Sequence, residues 1–453
     1  MQRTAQRRDS TTRVPVCVEE PSTTTGAARR DGDHAVRRPR RSSWSPSAVE
    51  RACLRWLLRR AGDPPVRMVL LGGVEWPVGG EQPALTLRIH ARVALLRMLL
   101  DPSVGFGEGY SSGEFEIEGD LVEFLIALAH ASRRAPKPGW LQRVWSLVDH
   151  RPGRNSLSAS RQNIHHHYDI RGDFYKLWLD EQLVYTCAYF PCETASLEEA
   201  QTAKLDHVCR KLRLRPGETV VEAGCGWGAL ALHMARHYGV SVRAYNISHE
   251  QIAYARRQAA EWELERQVEF IEDDWRRIRG EFDVFVSVGM LEHVGRRHYR
   301  RLGDVIDRCL RPEGRGLVHS IGRNRPEPLD RWIERRIFPG AYPPTLGEAM
   351  AVFEPHAFSI LDVENLRLHY ALTLRHWLAR YERSAQTVER MFGPRFLRMW
   401  RLYLASSVAA FETGWLQLFQ IVFARGTSNH IPWTRAHLYT NASSVGRCNA
   451  ATQ

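Results

Sequence analysis

An α/β fold with a doubly wound parallel sheet is the architecture this 453-residue sequence predicts, and two observations carry it. The first is the stretch Thr219–Gly228, TVVEAGCGWG. Thr219 to Glu222 reads as a short strand ending in an acid. Gly224, Gly226 and Gly228 follow, and then Leu230, Met234 and Tyr238 recur at the spacing of one helix face. A strand entering a helix through glycines is a nucleotide-binding unit, because bare backbone turns tightly and lets a ligand approach. The spacing is G-x-G-x-G, not the dinucleotide pattern. It favours a single adenosyl moiety, as in S-adenosylmethionine, over NAD; a glycine turn with no ligand is the bland alternative. The second observation is the regular alternation of strands and helices that follows.

In chain order, residues 1–45 are rich in Arg, Ser, Thr and Pro and poor in large apolar residues, the composition of a disordered tail. Residues 46–132 read as a small α+β domain. Ser47–Gly62 is helical, Val66–Val74 and Leu85–Ile89 are strands, and Ala91–Leu100 is a helix. Gly and Ser punctuate GFGEGYSSGEFEIEGDL, where Phe115 and Ile117 alternate with acids as in an exposed strand. Leu121–Ala131 resumes a helix. Residues 133–160 form a linker rich in Pro, Gly, Arg and Ser, and a catalytic domain is expected over 161–430. Within it, strands are expected at Val240–Tyr245, Val268–Ile271, Asp283–Val288 and Gly316–Ile321. Helices fall at His249–Trp262 and His298–Leu310. Leu361–Tyr370 and Leu416–Ala424 read as the last strands, with helices at Leu372–Tyr381 and Phe396–Phe411 between them. Residues 431–453 are a tail. Ligands of such a sheet lie at the carboxyl ends of its strands. The glycine turn, Glu292, and His319 with Ile321 all land there.

Composition bounds the chemistry. Apolar residues make up 43%, enough for a substantial core, and 63 basic against 51 acidic residues give a formal charge of +12. Part of that excess is Arg in the first 41 residues. It suits an anionic lipid surface, an acidic substrate or nucleic acid, and an Arg-rich proteome explains it equally well. The eight cysteines are scattered without zinc-finger spacing, so reduced thiols and a cytosolic protein are expected. No signal-peptide core is visible in residues 1–30, and Leu402–Ala424 is too polar to span a bilayer. His165–His167 are adjacent, so they cannot all face one ion, and no metal site is expected.

Several stretches together resemble the cyclopropane-fatty-acyl-phospholipid synthase family, of which the mycolic acid cyclopropane synthases are relatives. They are HHYDIRGDFYKLWLD, YTCAYF, VVEAGCGWG, NISHEQ, VSVGMLEHVG, LVHSI, IFPG, LHYALTLRHW and IPWTR. They run in the family's order over about residues 160–435, and GFGEGYSSGEFEIEGDL resembles the family's N-terminal lipid-associated domain. The resemblance implies a class I S-adenosylmethionine-dependent methyltransferase fold. It further implies methyl transfer to the cis double bond of unsaturated phospholipid acyl chains, with ring closure through a carbocation and a bound bicarbonate as base. Glu292 would accept the bicarbonate hydroxyl, His319 and Tyr370 would donate to its oxygens, and the backbone N–H groups of Cys187 and Ile321 would complete the cage. Tyr185, Thr186, Gly224, Gly226, Gly228, Ile247, Gln251 and Trp275 would surround S-adenosylmethionine, with Asp274 beside Trp275. Asn246 stands where many methyltransferases place an acid for the ribose, and Glu222 where Asp is commoner.

The same resemblance implies an enzyme in the cytoplasm, peripheral to the inner membrane surface, in contact with anionic lipid and not with nucleic acid. A homodimer is left open. Three other readings compete. A variant of the same chemistry would leave a methyl or methylene branch. An amine methyltransferase would use the same scaffold without the lipid-associated domain. A non-enzymatic binding module would rely on the Arg-rich tail and would bind in a strongly salt-dependent way.

Overall fold

The computed structural model describes residues 47–76, 85–134 and 172–439. The expected disordered tail, most of the expected linker, His165–His167 and the end of the C-terminal tail lie outside the described residues.

The N-terminal part is a four-stranded sheet in the order β2-β1-β3-β4. Its strands are β1 Arg67–Leu70, β2 Val74–Trp76, β3 Thr86–Ile89 and β4 Phe115–Glu118. Its helices are α1 Ala48–Arg60, α2 Arg92–Leu100, α3 Pro102–Ser111 and α4 Leu121–Ser132. Three local readings are corrected. Val66–Val74 is not one strand, because Leu71–Gly73 turns the chain and β2 returns antiparallel to β1. The glycine-rich stretch after Pro102 is a helix, started by the Asp101 side chain accepting from the Val104 N–H at 3.2 Å. Its glycines serve close packing: a Cβ at Gly107 would stand 2.3 Å from the Trp332 ring. Phe115 is fully buried, so only the acid-bearing face of β4 meets solvent.

The larger sheet has seven strands in the order β10-β11-β9-β8-β5-β6-β7. These are β5 Thr219–Ala223, β6 Ser241–Asn246, β7 Val268–Glu272, β8 Phe282–Val288, β9 Leu310–Gly322, β10 Ser359–Asn365 and β11 Gln417–Ala424. Strands β9, β8, β5, β6 and β7 pair in parallel, and β11 runs antiparallel to both β9 and β10. The main helices are α5 Leu197–Leu212, α6 Ala229–Tyr238, α7 His249–Glu261, the one-turn α8 Leu291–Val294, α9 Tyr299–Cys309 and α10 Arg331–Arg336. They are followed by α11 Arg367–Arg383, α12 Ala385–Phe392 and α13 Pro394–Glu412.

A further correction falls at β10. The expected strand Leu361–Tyr370 ends at Asn365, whose side chain accepts from the Arg367 N–H at 3.0 Å in a turn just before α11. Tyr370 therefore projects from a helix. The thiol reading changes at one position, since sequence separation does not report proximity. Cys192 is disulfide-bonded, whereas Cys53, Cys187, Cys209, Cys225 and Cys309 are free.

One continuous apolar cluster joins the two sheets' surroundings, from Leu54 and Phe115 through Phe174 and Trp178 to Trp377, Trp400 and Phe411. Polar contacts pin the same seam. Glu108 of α3 accepts from Arg336 at 2.5 Å and Arg395 at 2.6 Å, and Arg398 donates to the Tyr110 and Phe115 carbonyls at 2.6 and 2.9 Å. Among the described residues no helix is long and apolar enough to cross a membrane.

Candidate active site

Two cavities meet at the carboxyl ends of the central strands. The smaller, about 140 Å³, lies over the glycine turn. Glu222, Gly224, Gly226, Asn246 and Gln251 line it from one side, and Tyr185, Thr186 and Lys204 from the other. The turn explains the spacing of its glycines. Gly224, Gly226 and Gly228 have φ of +86°, +54° and +92°, where side chains are strained. A Cβ on Gly226 would meet nothing within 4 Å, so this glycine faces open cavity. A Cβ on Gly228 would stand 2.8 Å from both Ala255 and Phe270, so this one serves helix–sheet packing.

Polar groups in this cavity are preset. The Asn246 amide donates to the Gly226 carbonyl at 3.2 Å and to Gln251 Oε1 at 2.7 Å, while its oxygen accepts from the Ile247 N–H at 2.8 Å. Buried Glu222 has no partner for Oε2. Lys204, also buried, donates to the Thr186 hydroxyl at 3.2 Å. Burial pushes Glu222 up to about 8 and Lys204 down to about 8, while each charge favours the other's ionised form. Gly228, Ile247, Asp274 and Trp275 lie outside the cavity lining. The Asp274 carboxylate is engaged by Arg276, which donates from its backbone at 2.9 Å and its guanidinium at 3.0 Å and lies over the Trp275 ring.

The larger cavity, about 580 Å³, is mainly apolar. Phe106, Leu125, Trp332, Phe338, Leu402, Tyr403 and Phe411 contribute to its wall, drawn from both the N-terminal part and the catalytic part. Tyr185, Thr186, Gly289 and His293 line both cavities, so the apolar space opens onto the polar one. Glu292, Ile321 and Tyr370 also line it. Glu292 sits on α8, directly after β8, and is 5% exposed. Its Oε1 accepts from the Ile321 N–H at 2.6 Å, and its Oε2 has no partner. Burial pushes this carboxyl up to about 7. Tyr370 packs on Phe411, with ring centres 4.6 Å apart, and edge-on to Trp377. The Tyr185 and Tyr403 hydroxyls are 2.9 Å apart.

The remaining expected residues stand apart from this cavity. His319 on β9 is buried, does not line either cavity, and meets the Gln420 amide through Nδ1 at 3.1 Å. Burial, helped by Lys204 and Lys211, lowers it to about 3, so it is a neutral imidazole. The Cys187 thiol points to the Ala188 carbonyl at 3.1 Å, and burial raises its pKa, so it is no thiolate. Lys204, His293 and Tyr403 were not expected from the sequence. Their only sequence signal is proximity to recognised motifs: Lys204 follows the YTCAYF segment, and His293 sits inside GMLEHVG.

The comparisons agree with this geometry. The mycolic acid cyclopropane synthetase family model matches residues 155–421. A probable fatty acid methyltransferase of Pseudomonas putida is 33% identical over 83% of this chain and 96% of its own length. The cyclopropane-fatty-acyl-phospholipid synthase of Escherichia coli K12 is 35% identical over 78% of this chain and 91% of its own. Among solved structures, the cyclopropane synthase MmaA2 from Mycobacterium tuberculosis superposes with a TM-score of 0.56 at 29% identity, covering 58% of this chain and 98% of that one. CmaA1, a mycolic acid cyclopropane synthase solved with SAH and CTAB, gives 0.56 at 28%, covering 58% and 98%. The family model, matching more than half of the chain, and relatives 33% and 35% identical over 83% and 78% of it establish that the chain belongs to the mycolic acid cyclopropane synthetase family and is an S-adenosylmethionine-dependent methyltransferase.

Proposed function

We propose that this enzyme methylates the cis double bond of an unsaturated acyl chain in a phospholipid and closes it to a cyclopropane, working from the cytoplasm at the inner membrane surface. The observation that carries the reading is the junction of the two cavities at Tyr185, Thr186, Gly289 and His293, beside Glu292. An acyl chain needs a long apolar space, and its olefin must reach the methyl donor where water is excluded.

The residues of the smaller cavity fit the methionyl end of S-adenosylmethionine: Glu222 Oε2 lacks a donor, the Gly226 face is open, and Lys204 supplies a cation. Bound there, S-adenosylmethionine supplies an electrophilic methyl group. An alkene that accepts a methyl becomes a carbocation. The rings of Tyr185, Tyr370, Tyr403 and Phe411 line the cavity, and aromatic π systems stabilise such a charge without acting as strong nucleophiles.

Ring closure also requires loss of a proton. The orphaned Oε2 of Glu292, in one wall with Tyr370 and Ile321, fits a bicarbonate hydroxyl, and bicarbonate bound there would supply the proton acceptor. The Ile321 N–H is already given to Glu292, and His319 stands outside the cavity lining. Glu292 and Tyr370 therefore form the core of this arrangement, and neither His319 nor Cys187 lines the cavity to add a donor.

A second reading has a specific basis. The relatives include a tuberculostearic acid methyltransferase of Mycobacterium tuberculosis, 32% identical over 84% of this chain and 92% of its own, besides the fatty acid methyltransferase of P. putida. The same cation gives a methyl or methylene branch when the proton leaves from elsewhere. A coclaurine N-methyltransferase structure, 20% identical, shares only the fold. An amine substrate is disfavoured by the mainly apolar larger cavity. The test is transfer of label from S-adenosylmethionine to vesicles of unsaturated or saturated phosphatidylglycerol. Label only in the unsaturated lipid supports the proposal; label in neither, with a competent cofactor site, refutes it.

A further inference from the structure

Helices α1 and α2 each carry a second apolar face that the core does not use. In α1, Leu54 is buried, yet Val49 is 72% and Trp56 46% exposed, seven residues apart on the outer side. In α2, Ala94, Leu95 and Met98 are buried, while Val93, Leu96 and Leu100 are 42%, 56% and 79% exposed at positions i, i+3 and i+7. Arginines flank both stripes: Arg51, Arg55, Arg59 and Arg60 on α1, Arg92 and Arg97 on α2. The one acid on these helices, Glu50, is engaged by the Ser47 N–H at 2.8 Å and by Arg92 at 3.4 Å, which also ties the two helices together. Arg60 lies over the Trp56 ring, 5.2 Å from its centre.

We propose that this α1–α2 face docks the enzyme on an anionic phospholipid bilayer. Apolar stripes bordered by arginine, with a tryptophan among them, suit the boundary between acyl chains and acidic headgroups. A second copy is a poorer occupant, because a two-fold contact would set arginine rows against arginine rows. The chain's own Arg-rich N-terminal residues are poor occupants for the same reason. The position also serves delivery: α2 ends at Leu100, and Pro102 and Ser103 already line the large apolar cavity. The inference rests on the lipid reading above for its purpose, but not for its binding surface.

The test uses the full chain with vesicles of dioleoyl phosphatidylglycerol and phosphatidylcholine, or of phosphatidylcholine alone, at low and high salt. Leu96→Glu with Leu100→Glu should lower vesicle binding at least about tenfold, since each substitution puts a charge in place of buried apolar area. Arg55→Gln with Arg59→Gln should lower binding to the anionic vesicles about fivefold per residue and flatten the salt dependence. Both pairs should keep the wild-type melting temperature, SAH affinity and turnover of detergent-dispersed phospholipid.

Wild-type binding by both variants would overturn the surface. So would a wild-type dimer that the Leu96→Glu/Leu100→Glu pair dissociates, which would make the face a contact between copies. Vesicle binding lost in the variants while even wild type methylates no lipid would uphold the surface and sink the proposed reaction. Turnover of dispersed lipid without any vesicle binding by wild type would do the reverse.

Discussion

Replacing Glu292 by Gln separates catalysis from folding, and the structure sets both magnitudes. Gln keeps the oxygen that accepts from the Ile321 N–H and changes only the buried, unpartnered atom, from Oε2 to an amide. Glu292 titrates at about 7 in the folded chain against 4.5 ordinarily, because burial disfavours its charge. Below pH 4.5 both folded and unfolded carboxyls hold the proton, and Glu and Gln are equivalent. Between pH 4.5 and about 7 the unfolded carboxyl ionises while the folded one does not, so wild-type stability falls as pH rises. The accumulated loss is up to about 3 kcal/mol.

Glu292→Gln lacks that loss and should melt about 4 °C above wild type at pH 8, with the difference vanishing near pH 4.5. SAH binding should be unchanged, while turnover falls on the order of a hundredfold if Glu292 orients the proton acceptor as proposed. Thermal melts of both proteins across pH, isothermal titration with SAH, and a methyl-transfer assay provide the three readouts. Parallel melting curves would refute the burial argument, and unchanged turnover would remove Glu292 from the mechanism.

Further substitutions test the cofactor side. Lys204→Met should weaken SAH binding about tenfold, the loss of one charge-assisted hydrogen bond. The Lys204 contribution to wild-type affinity should also drop as pH rises through about 8, where Lys204 loses its proton, while ionisation of Glu222 opposes that drop; Asp180 and Cys187 face the same ammonium. The Met variant should lack most of that drop in titration calorimetry. Gly228→Ala combines positive φ with a clash against Ala255 and Phe270 and should cost about 3 kcal/mol in denaturant unfolding. Gly226→Ala should cost about 1 kcal/mol and act mainly on SAH affinity. Cys187→Ala should retain turnover, because the thiol is buried and protonated; a covalent adduct trapped on its sulfur would contradict this.

The central sheet was legible because its signals are local. The strand–glycine–helix unit at Thr219–Tyr238 and the apolar strands Asp283–Val288 and Gly316–Ile321 fell where the structure has β5, α6, β8 and β9. The antiparallel insertion of β11 was not legible, since strand order depends on long-range pairing. Tyr370 was assigned to a strand because Leu366, Leu368 and Tyr370 alternate with Arg367 and His369, and the helix starts there without a side-chain N-cap to mark it. The α3 helix was hidden by glycines whose purpose is close packing, Gly105 against the Arg97 backbone, Gly109 against Phe115, and Gly107 against Trp332, far away in sequence.

At the site, Glu292, Ile321 and Tyr370 line one cavity. His319 and Cys187 are buried outside its lining; strand alternation fixes the face of His319 but not which cavity borders it, and Cys187 lies in a loop with no such periodicity. Lys204 resembles any helix lysine until its burial against Thr186 and Glu222 is seen.

The most direct test of the central claim is the fate of the olefin. Purified enzyme is incubated with isotopically labelled S-adenosylmethionine and dioleoyl phosphatidylglycerol vesicles, and the released acyl chains are analysed by mass and for unsaturation. Ring closure yields labelled chains that have gained one CH₂ and lost their double bond. Labelled chains that keep a double bond would contradict ring closure, and unlabelled chains from an enzyme that still binds SAH would contradict lipid methylation itself.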